Sequence, residues 1–190
     1  MSLSKAAKER PDIMDKYYGR LASLDDEATA LNTMLVQDGV FIHVNRSVKL
    51  TRPLQIVNIF SSPAPLLAPR RVLLVAEENS EVELLLCDHT QDSERPYLSS
   101  QVIEVFAGRN SDVGIYDIEE SSPLTSRNSH LYASQDEGSH LRVNGSTLVG
   151  GTTRNAYDIS LEGPGAETRL SGMAIGTGRM HTDNYSSVVH

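Results

Sequence analysis

The residues best suited to chemistry in this chain are a cysteine and a histidine two positions apart. Cys87 and His89 belong to the segment "CDHT", which follows an apolar run and is typical of the end of a strand. Side chains two residues apart on a strand point to one face, so the thiol and the imidazole can lie side by side. Both are good zinc or iron ligands, but a site needs about four ligands and this is the chain's one cysteine. The alternative is a small buried structural cysteine.

A second pair of possible metal ligands lies near the C-terminus. His181 and Asp183 are again two residues apart, and His190 follows. A carboxylate can orient an imidazole, which fits either a metal site or a general base. The sequence offers no third ligand here, and polar side chains on stacked strands commonly satisfy each other through hydrogen bonds. We therefore predict no catalytic, cofactor-binding or metal-binding residue, with Cys87, His89, His181 and Asp183 as the positions to inspect for a metal.

Two other patterns resemble catalytic motifs without their structural context. Ser129, His130 and Asp158 are the residue types of a serine hydrolase, but no Gly-x-Ser-x-Gly turn surrounds a serine. The glycine-rich segments 163–167 and 172–178 are not followed by a predicted helix, which a phosphate-binding loop requires. We interpret these segments as turns and predict that the chain is not an enzyme.

Composition limits the class of partner. The chain has 190 residues, with 17 Lys and Arg against 25 Asp and Glu and a formal net charge of −8. An acidic chain without Trp is poorly suited to binding nucleic acid or an anionic membrane. A single cysteine excludes an internal disulfide framework and favours the cytoplasm. No apolar run reaches the roughly 18 residues that a membrane-spanning helix needs.

The elements that must position these residues fall into two parts, a helical cap segment at 1–37 and a strand-rich domain at 38–190. Pro11 suits the start of one helix, and Asp25 or Asp26 can cap a second. We expect these helices to cover the exposed end of the strand domain, because short helices are stabilised mainly by packing.

The junction between the two parts can be placed in the segment "ALNTMLVQDGVFIHV". Ala28, Leu31 and Leu35 fall three and four residues apart, which predicts that they form the buried face of the second helix. Gly39 is expected to end this helix through the left-handed conformation that glycine tolerates. The β-branched and aromatic run that follows predicts a strand.

A repeat indicates the class of all-β fold. A small residue follows a turn rich in Gly, Asn or acidic residues at intervals of 27 to 31 residues, at Ser80, Ser111, Ser139 and Ala166. Alternating apolar residues follow each one and should face a core, among them Val82, Leu84, Val113, Ile115, Leu141 and Val143. Such a unit predicts a β-helix. A sandwich is the alternative, with Asn144-Gly145 as its main hairpin signal.

The order of several segments resembles the SufB/SufD family of iron–sulfur cluster assembly scaffolds. These segments are "LNTMLVQDGVFIHVNRSVKLTRPLQIVNIF", "GRNSDVGIYDIEES", "LYASQDEGSHLRVNGSTLVGG" and "HTDNYSSVVH". The helical N-terminal segment points to the SufD branch. The resemblance implies a right-handed parallel β-helix and a scaffold or accessory role beside SufB and the ATPase SufC in a SufBCD complex.

The resemblance also implies that this chain is a core-domain fragment, because members of the family continue well beyond the segment that ends here at His190. The thiol and histidine residues proposed to support cluster formation, and the region that binds the ATPase, would fall in that further part. We therefore expect the full complex, and not this chain, to handle the cluster. An open last coil also predicts a homodimer through the C-terminal edge of the β-helix.

A different class of function stays open at this point, a carbohydrate-active or carbohydrate-binding β-helix protein. Such a protein would use paired carboxylates that face one groove, and Glu119-Glu120 and Asp136-Glu137 are the available pairs. The lack of Trp counts against this class, because aromatic platforms usually support sugars.

Overall fold

The computed structural model of the chain describes residues 1–91 and 94–190. These residues form three short helices, α1 Leu3–Glu9, α2 Pro11–Tyr17 and α3 Glu27–Leu35. Eleven strands follow: β1 Val40–Val44, β2 Leu54–Phe60, β3 Leu66–Ala76, β4 Glu81–Thr90, β5 Tyr97–Ala107, β6 Asp112–Glu120, β7 Thr125–Gln135, β8 His140–Val149, β9 Thr152–Leu161, β10 Glu167–Ala174 and β11 His181–Val189. None of the helices in the described ranges is long and apolar enough to span a membrane.

The strands form a parallel β-helix of about five coils. Sheet A has the order β1-β3-β5-β7-β9-β11, and sheet B has the order β10-β8-β6-β4-β2. Every strand pair within the two sheets is parallel, so each coil contributes one strand to each sheet. The predicted fold class is confirmed. The alternative of a sandwich is wrong, because sandwich strands pair antiparallel.

One corner of each coil is a turn that contains a residue with positive φ. These residues lie at equivalent places in successive coils: Ser47, Asn79, Asn110, Gly138 and Gly165. A buried small residue follows at Ser80, Ser111 and Ser139, which are positions that the sequence repeat identified. Gly138 is required for packing as well, since a Cβ there would lie 2.3 Å from Oδ1 of Asn110 in the coil below.

The lumen between the sheets is apolar in one half. The six residues predicted to face the core, from Val82 to Val143, are each at most 1% exposed and belong to one hydrophobic cluster. Gly145 lies inside β8 and forms no hairpin with Asn144. A Cβ at Gly145 would meet Oη of Tyr157 at 2.2 Å, so this glycine makes room for an inward-facing tyrosine.

The N-terminal helices cover the outer face of sheet A. Leu3 and Ala6 of α1 and Ile13 and Met14 of α2 cluster with residues of the first coils: Phe41, Leu73 and Val75. The sequence predicted that the helices would cover the end of the strand domain; α1 and α2 instead pack on the outer face of sheet A, and only residues 1–3 lie along that end, beside β1. The outward side chains of Phe41, Leu73 and Val75 are apolar, so their burial under the helices stabilises this arrangement.

Helix α3 begins as predicted but packs through a different face. Asp26 caps it by accepting a hydrogen bond from the Thr29 amide (2.7 Å). Thr29 and Asn32 are fully buried, whereas Leu31 and Leu35 are exposed. The prediction that Leu31 and Leu35 face the core is wrong.

The reason is the polar surface that lies under α3. Asn32 Nδ2 donates to the main-chain carbonyl groups of Arg70 (3.1 Å) and Ser100 (3.0 Å). Thr29 Oγ1 lies 2.9 Å from Oη of Tyr132. Buried polar groups need hydrogen-bond partners, and an apolar helix face could not supply them.

Gly39 also has a different role from the predicted one. Helix α3 ends at Leu35, and Gly39 does not adopt the left-handed conformation. A Cβ at this position would lie 2.2 Å from the carbonyl oxygen of Arg71, so the close approach of β1 to β3 requires glycine here.

A buried carboxylate holds the segment between α2 and α3. Glu104 of β5 points outward from the lumen and accepts hydrogen bonds from the amides of Gly19 (2.9 Å), Leu21 (2.9 Å) and Ala22 (3.2 Å). Arg71 Nη2 donates to the same carboxylate at 3.2 Å, and both side chains are at most 1% exposed. This contact joins residues 19–22 to the sheet by charge and hydrogen bonds instead of apolar packing.

Replacement of Glu104 by alanine should release this segment. The change leaves Arg71 buried and unpaired, so we expect a loss of about 3–5 kcal/mol in the free energy of unfolding. Hydrogen exchange of the amides at 19–22 should rise more than that of the lumen strands. Glu120→Ala is the matched control, because the Glu120 side chain is 45% exposed. Equal stability of the two variants would contradict the assigned role of Glu104.

Candidate functional site

The half of the lumen opposite the apolar cluster contains a network of charged side chains. The strand alternation that points Leu84 and Leu86 inward also points Asp88 inward, and in β6 it does the same for Asp117 and Glu119. Sheet A contributes inward-facing arginines from β3 and β7. Among the described residues that face the lumen, these side chains are the charged groups that could take part in a reaction. The hydrogen-bond and ion-pair partners of each group determine what the cluster can do chemically.

Arg127 lies at the centre of this network. Its guanidinium donates to Asp88 Oδ2 (3.0 Å), to both carboxylate oxygens of Asp117 (2.8 and 2.7 Å) and to Asn155 Oδ1 (2.6 Å). The Arg127 side chain is 2% exposed. Burial acts to lower the pKa of Arg127, but the neighbouring carboxylates outweigh it and raise the pKa above its usual range. The guanidinium is therefore a permanent buried cation with charged partners on two strands.

Asp88 is shared between two arginines. Arg70 Nη1 and Nη2 donate to its two oxygens at 2.6 and 2.7 Å, and Asn58 Nδ2 donates at 2.9 Å. Burial acts to raise the pKa of Asp88, but the charges of Arg70 and Arg127 outweigh it and hold the pKa at about 2. A carboxylate in this state is an ion-pair partner and not a general acid or base near neutral pH.

Glu119 is the one carboxylate of this network that has hydroxyl donors in place of an arginine fork. Ser121 Oγ donates at 2.7 Å, and Thr153 Oγ1 lies 3.0 and 2.8 Å from the two carboxylate oxygens. Burial raises the pKa of Glu119, although Arg127 and the hydroxyl groups act in the opposite direction. A Cβ on Gly150 would lie 2.9 Å from Oε1, so the pocket around this carboxyl is closed. The charged groups of the network are paired with each other, although Nε of Arg70 has no hydrogen-bond partner among the described residues.

Cys87 and His89 share the outer face of β4, as their spacing predicted. Cys87 is buried, and Gln55 Nε2 lies 3.6 Å from its sulfur. His89 Nδ1 lies 3.1 Å from Glu120 Oε2 on the next strand. The residue between them, Asp88, points into the lumen. Within the described ranges no group of three His, Cys, Asp or Glu side chains is placed to hold a metal ion.

His181 and Asp183 lie on the last strand of sheet A. Asp183 pairs with Arg154 of β9, and both side chains are about half exposed. Asn184 directly follows Asp183 on this strand. It points into the lumen and accepts a hydrogen bond from Asn155 Nδ2 (3.0 Å). The structure therefore gives Asp183 an arginine partner on the neighbouring strand, the type of inter-strand polar contact that the sequence offered as the alternative to a metal site.

The three residue types of a hydrolase triad do not assemble. His130 Nε2 lies 2.6 Å from Asp158 Oδ2 on the outer face of sheet A. Ser129 points into the lumen, where its hydroxyl contacts Asp117 Oδ2 at 3.3 Å. His130 Nδ1 instead faces Oη of Tyr132 (3.0 Å), and burial raises the pKa of Tyr132 to about 12. This cluster fixes the start of α3 against the sheet.

The paired carboxylates of a carbohydrate-active site are also separated. Glu119 points into the lumen, whereas Glu120 pairs with His89 on the outside. Asp136 lines a groove of ≈ 490 Å³ at one corner of the coils, where its Oδ1 accepts a hydrogen bond from the amide of Glu137. The Glu137 side chain pairs with Arg109 at 3.0 Å. Neither pair presents two free carboxylates to one groove.

Comparison with known proteins identifies the family. Residues 59–190 match the model of the SufBD core domain of the SUF system for FeS cluster assembly, and residues 1–56 match the model of the SufBD protein N-terminal region. The chain belongs to the SufBD family. Membership of the SufBD family supports a role in iron–sulfur cluster assembly.

Several SufBD relatives show how much of a family member this chain represents. It is 26% identical to the iron-sulfur cluster assembly protein SufD of Bacillus subtilis over 97% of this chain and 43% of that protein. It is 32% identical to the chloroplastic SufBD family protein ABCI8 of Arabidopsis thaliana over 59% of this chain and 20% of that protein. A SufBD family protein of Synechocystis is 20% identical over 96% of this chain and 42% of that protein. The chain spans less than half the length of these relatives.

The sequence reasoning missed the charged lumen of this SufBD chain, although a signal for it was present. Asp88 continues the inward positions of Leu84 and Leu86, and Glu119 continues those of Val113 and Ile115. Strict strand alternation would have placed both carboxylates inside. Their partner Arg127 also points inward, but the residues around it in β7 are all polar and show no alternating pattern. Its position opposite the two carboxylates therefore could not be predicted from its own strand.

We predict that Asp88→Asn lowers the free energy of unfolding by about 3–5 kcal/mol, because the buried Arg127 and the partly buried Arg70 lose their shared countercharge. The pKa of Asp88 is below its ordinary value of 3.8, so its ion pairs stabilise the protein above that pH. This contribution is lost as the pH falls from 3.8 through about 2. Urea unfolding at pH 7 and at pH 3 measures it.

Asp183→Asn is the matched control for Asp88→Asn, because the Asp183–Arg154 pair lies at the surface. It should change the stability by about 1 kcal/mol or less. A similar loss in both variants would show that the lumen network contributes no more than a surface ion pair.

Glu119→Gln should have the opposite effect at neutral pH. Burial raises the pKa of Glu119 above 4.5, so this group stabilises the fold below pH 4.5 and loses that contribution as the pH rises through the raised pKa. Glutamine keeps an acceptor for the hydroxyl donors without the buried charge. We expect a higher Tm than the wild type at pH 8 and a smaller difference at pH 4. Glu120→Gln is the control, and a loss of stability at pH 8 specific to Glu119→Gln would contradict this assignment.

Proposed function

We propose that this chain is a SufD-type scaffold subunit of the Suf iron–sulfur cluster assembly system, acting with SufB-type and SufC-type proteins. The observation that carries the proposal is the pair of consecutive family matches, 1–56 and 59–190, on one helix-covered parallel β-helix. One relative that matches over 97% of this chain, at 26% identity, is named as a SufD protein.

We further propose that the chain performs no catalysis and binds no cluster on its own. Two observations support this part. The charged groups of the lumen are paired with each other, which leaves Asp88, Asp117 and Arg127 without a free face for a substrate. Cys87 is the chain's one thiol and lies buried beside Gln55. An iron–sulfur cluster usually needs several thiolates, so the ligands would come from other subunits or other segments.

The cellular compartment of this protein stays a prediction. A chain with one cysteine fits a reducing compartment, and we propose the cytoplasm. The Arabidopsis relative is named as chloroplastic, so the chloroplast is the compartment to compare.

The scaffold role predicts a stable association with the other Suf components. The full chain, tagged and mixed with SufB-type and SufC-type proteins of the same organism, should co-elute with them in size-exclusion chromatography. An unrelated protein of similar negative charge serves as the control, since it shows whether charge alone gives co-elution. Failure to co-elute when both proteins are present together would contradict the proposed association.

The same preparation tests the absence of cluster binding. After anaerobic incubation with ferrous iron and sulfide, the isolated chain should retain no stoichiometric iron, whereas the assembled complex should retain it. About one iron per isolated chain, lost in Cys87→Ser or His181→Ala, would refute this part of the proposal.

A further inference from the structure

The first coil of the β-helix is covered along only one of its two sheets. Residues 1–3 run antiparallel to β1 and close the edge of sheet A: the Met1 amino group donates to the Phe41 carbonyl (3.0 Å), and the Leu3 amide donates to the Gly39 carbonyl (2.9 Å). In sheet B the terminal strand is β2. Within the described ranges β2 pairs with β4 alone, so one row of its main-chain N–H and C=O groups is open.

Strand β2 has none of the features that normally protect an edge. Its sequence, LQIVNIF, contains no proline, glycine or charged residue, and its register with β4 is regular from Leu54 to Phe60. Val57 is 47% exposed and Ile59 is 65% exposed. Natural edge strands usually carry charges, proline or a bulge, because an open flat edge pairs with other strands. An unprotected strand of this kind indicates an edge that pairs.

The apolar residues beside this edge are incompletely buried. Ile42, Leu50 and Ile56 pack against the core cluster but are only partly covered. Leu54 is 37% exposed and Val48 is 40% exposed at the same end of the coil stack. A strand added beside β2 would cover part of this surface, so pairing would gain hydrophobic burial as well as hydrogen bonds.

The charge distribution favours a second copy of this chain as the occupant of the edge. Two copies of a chain with a net charge of −8 repel each other over most of their surface. Residues 53–69 contain no charged residue, in a chain of which 22% is charged. A two-fold antiparallel pair centred on Val57 would place Gln55 opposite Ile59 and Leu54 opposite Phe60, so no like charges would face each other. The edge is therefore compatible with its own copy.

We propose that β2 pairs antiparallel with β2 of a second copy of this chain, which joins the two B sheets into one continuous sheet across a two-fold axis. Isologous two-fold contacts are the commonest form of homo-oligomer. Seven-residue strands form a small interface, so the dimer should be weak and depend on concentration. This inference goes beyond the proposed function and does not depend on it, and it differs from the predicted dimer at the C-terminal edge.

Sedimentation velocity of the full chain over a range of concentrations tests the proposal. The wild type should shift from the monomer to the dimer value, and Val57→Lys with Ile59→Lys should stay at the monomer value throughout. The control is Met34→Lys with Leu124→Lys, which adds the same charge at exposed positions away from β2 and should still dimerise.

Two outcomes of this experiment would overturn the proposal. One is a wild type that remains monomeric at every concentration, which would leave the edge for a different partner. The other is a dimer that survives the β2 changes and is lost in Tyr185→Lys with Val189→Lys, since that result would place the contact at the C-terminal edge. Circular dichroism of each variant confirms that it is folded.

A cross-link gives a second measurement that does not rely on loss of association. Val57 lies next to Cys87 in the register of β2 and β4, so Cys87→Ser is needed first to prevent an internal disulfide. In that background Val57→Cys should form a disulfide-linked dimer on mild oxidation, because residues directly opposite in an antiparallel pair lie about 4.5–5.5 Å apart. Met34→Cys should not. Equal cross-linking of the two variants would contradict pairing through β2.

Discussion

The ion pairs around Arg127 impose the strictest condition on this β-helix. An arginine that is 2% exposed is tolerated in a protein interior only if its charge is matched and its donors are satisfied. Here the matching groups come from other strands: Asp88 from β4, Asp117 from β6 and Asn155 from β9. The guanidinium therefore depends on the correct relative placement of both sheets in neighbouring coils, which apolar packing alone would specify less sharply.

This cross-linking of coils changes how the stack should behave as a repeat protein. In many solenoids each repeat contacts its neighbours through a similar apolar interface, and the stability is close to a sum of local terms. In this chain Asp88 of β4 joins Arg70 of β3 to Arg127 of β7, so one carboxylate of sheet B connects two strands of sheet A that β5 separates. The loss of one charge at this point affects several coils together. The apolar half of the lumen provides burial, and the charged half provides register.

The sequence was sufficient for the repeating part of the fold and insufficient for contacts between separate elements. The turn before Ser80, Ser111 and Ser139 marks the left-handed corner of each coil, and the alternation after it identifies the buried residues. These are local signals with a fixed period. The packing face of α3 is not local: Thr29 and Asn32 are buried because the sheet surface below presents Tyr132 and main-chain carbonyl groups. Helical periodicity cannot report on a surface contributed by distant strands.

The possible site residues follow the same division. The spacing of Cys87 and His89 correctly places both on one face of β4, and that of His181 and Asp183 does so on β11. Their partners could not be read from spacing, because Gln55, Glu120 and Arg154 come from neighbouring coils. Contacts of this kind between neighbouring coils pair the charged groups of the segment with each other. A family that acts in iron–sulfur cluster assembly can therefore contain a segment with few free charged groups in its lumen. Such a segment has a lumen that is filled by its own side chains. Its capacity for interaction must then lie on its outer faces and edges, where an uncharged strand in an otherwise acidic chain is the feature that distinguishes one surface from the rest.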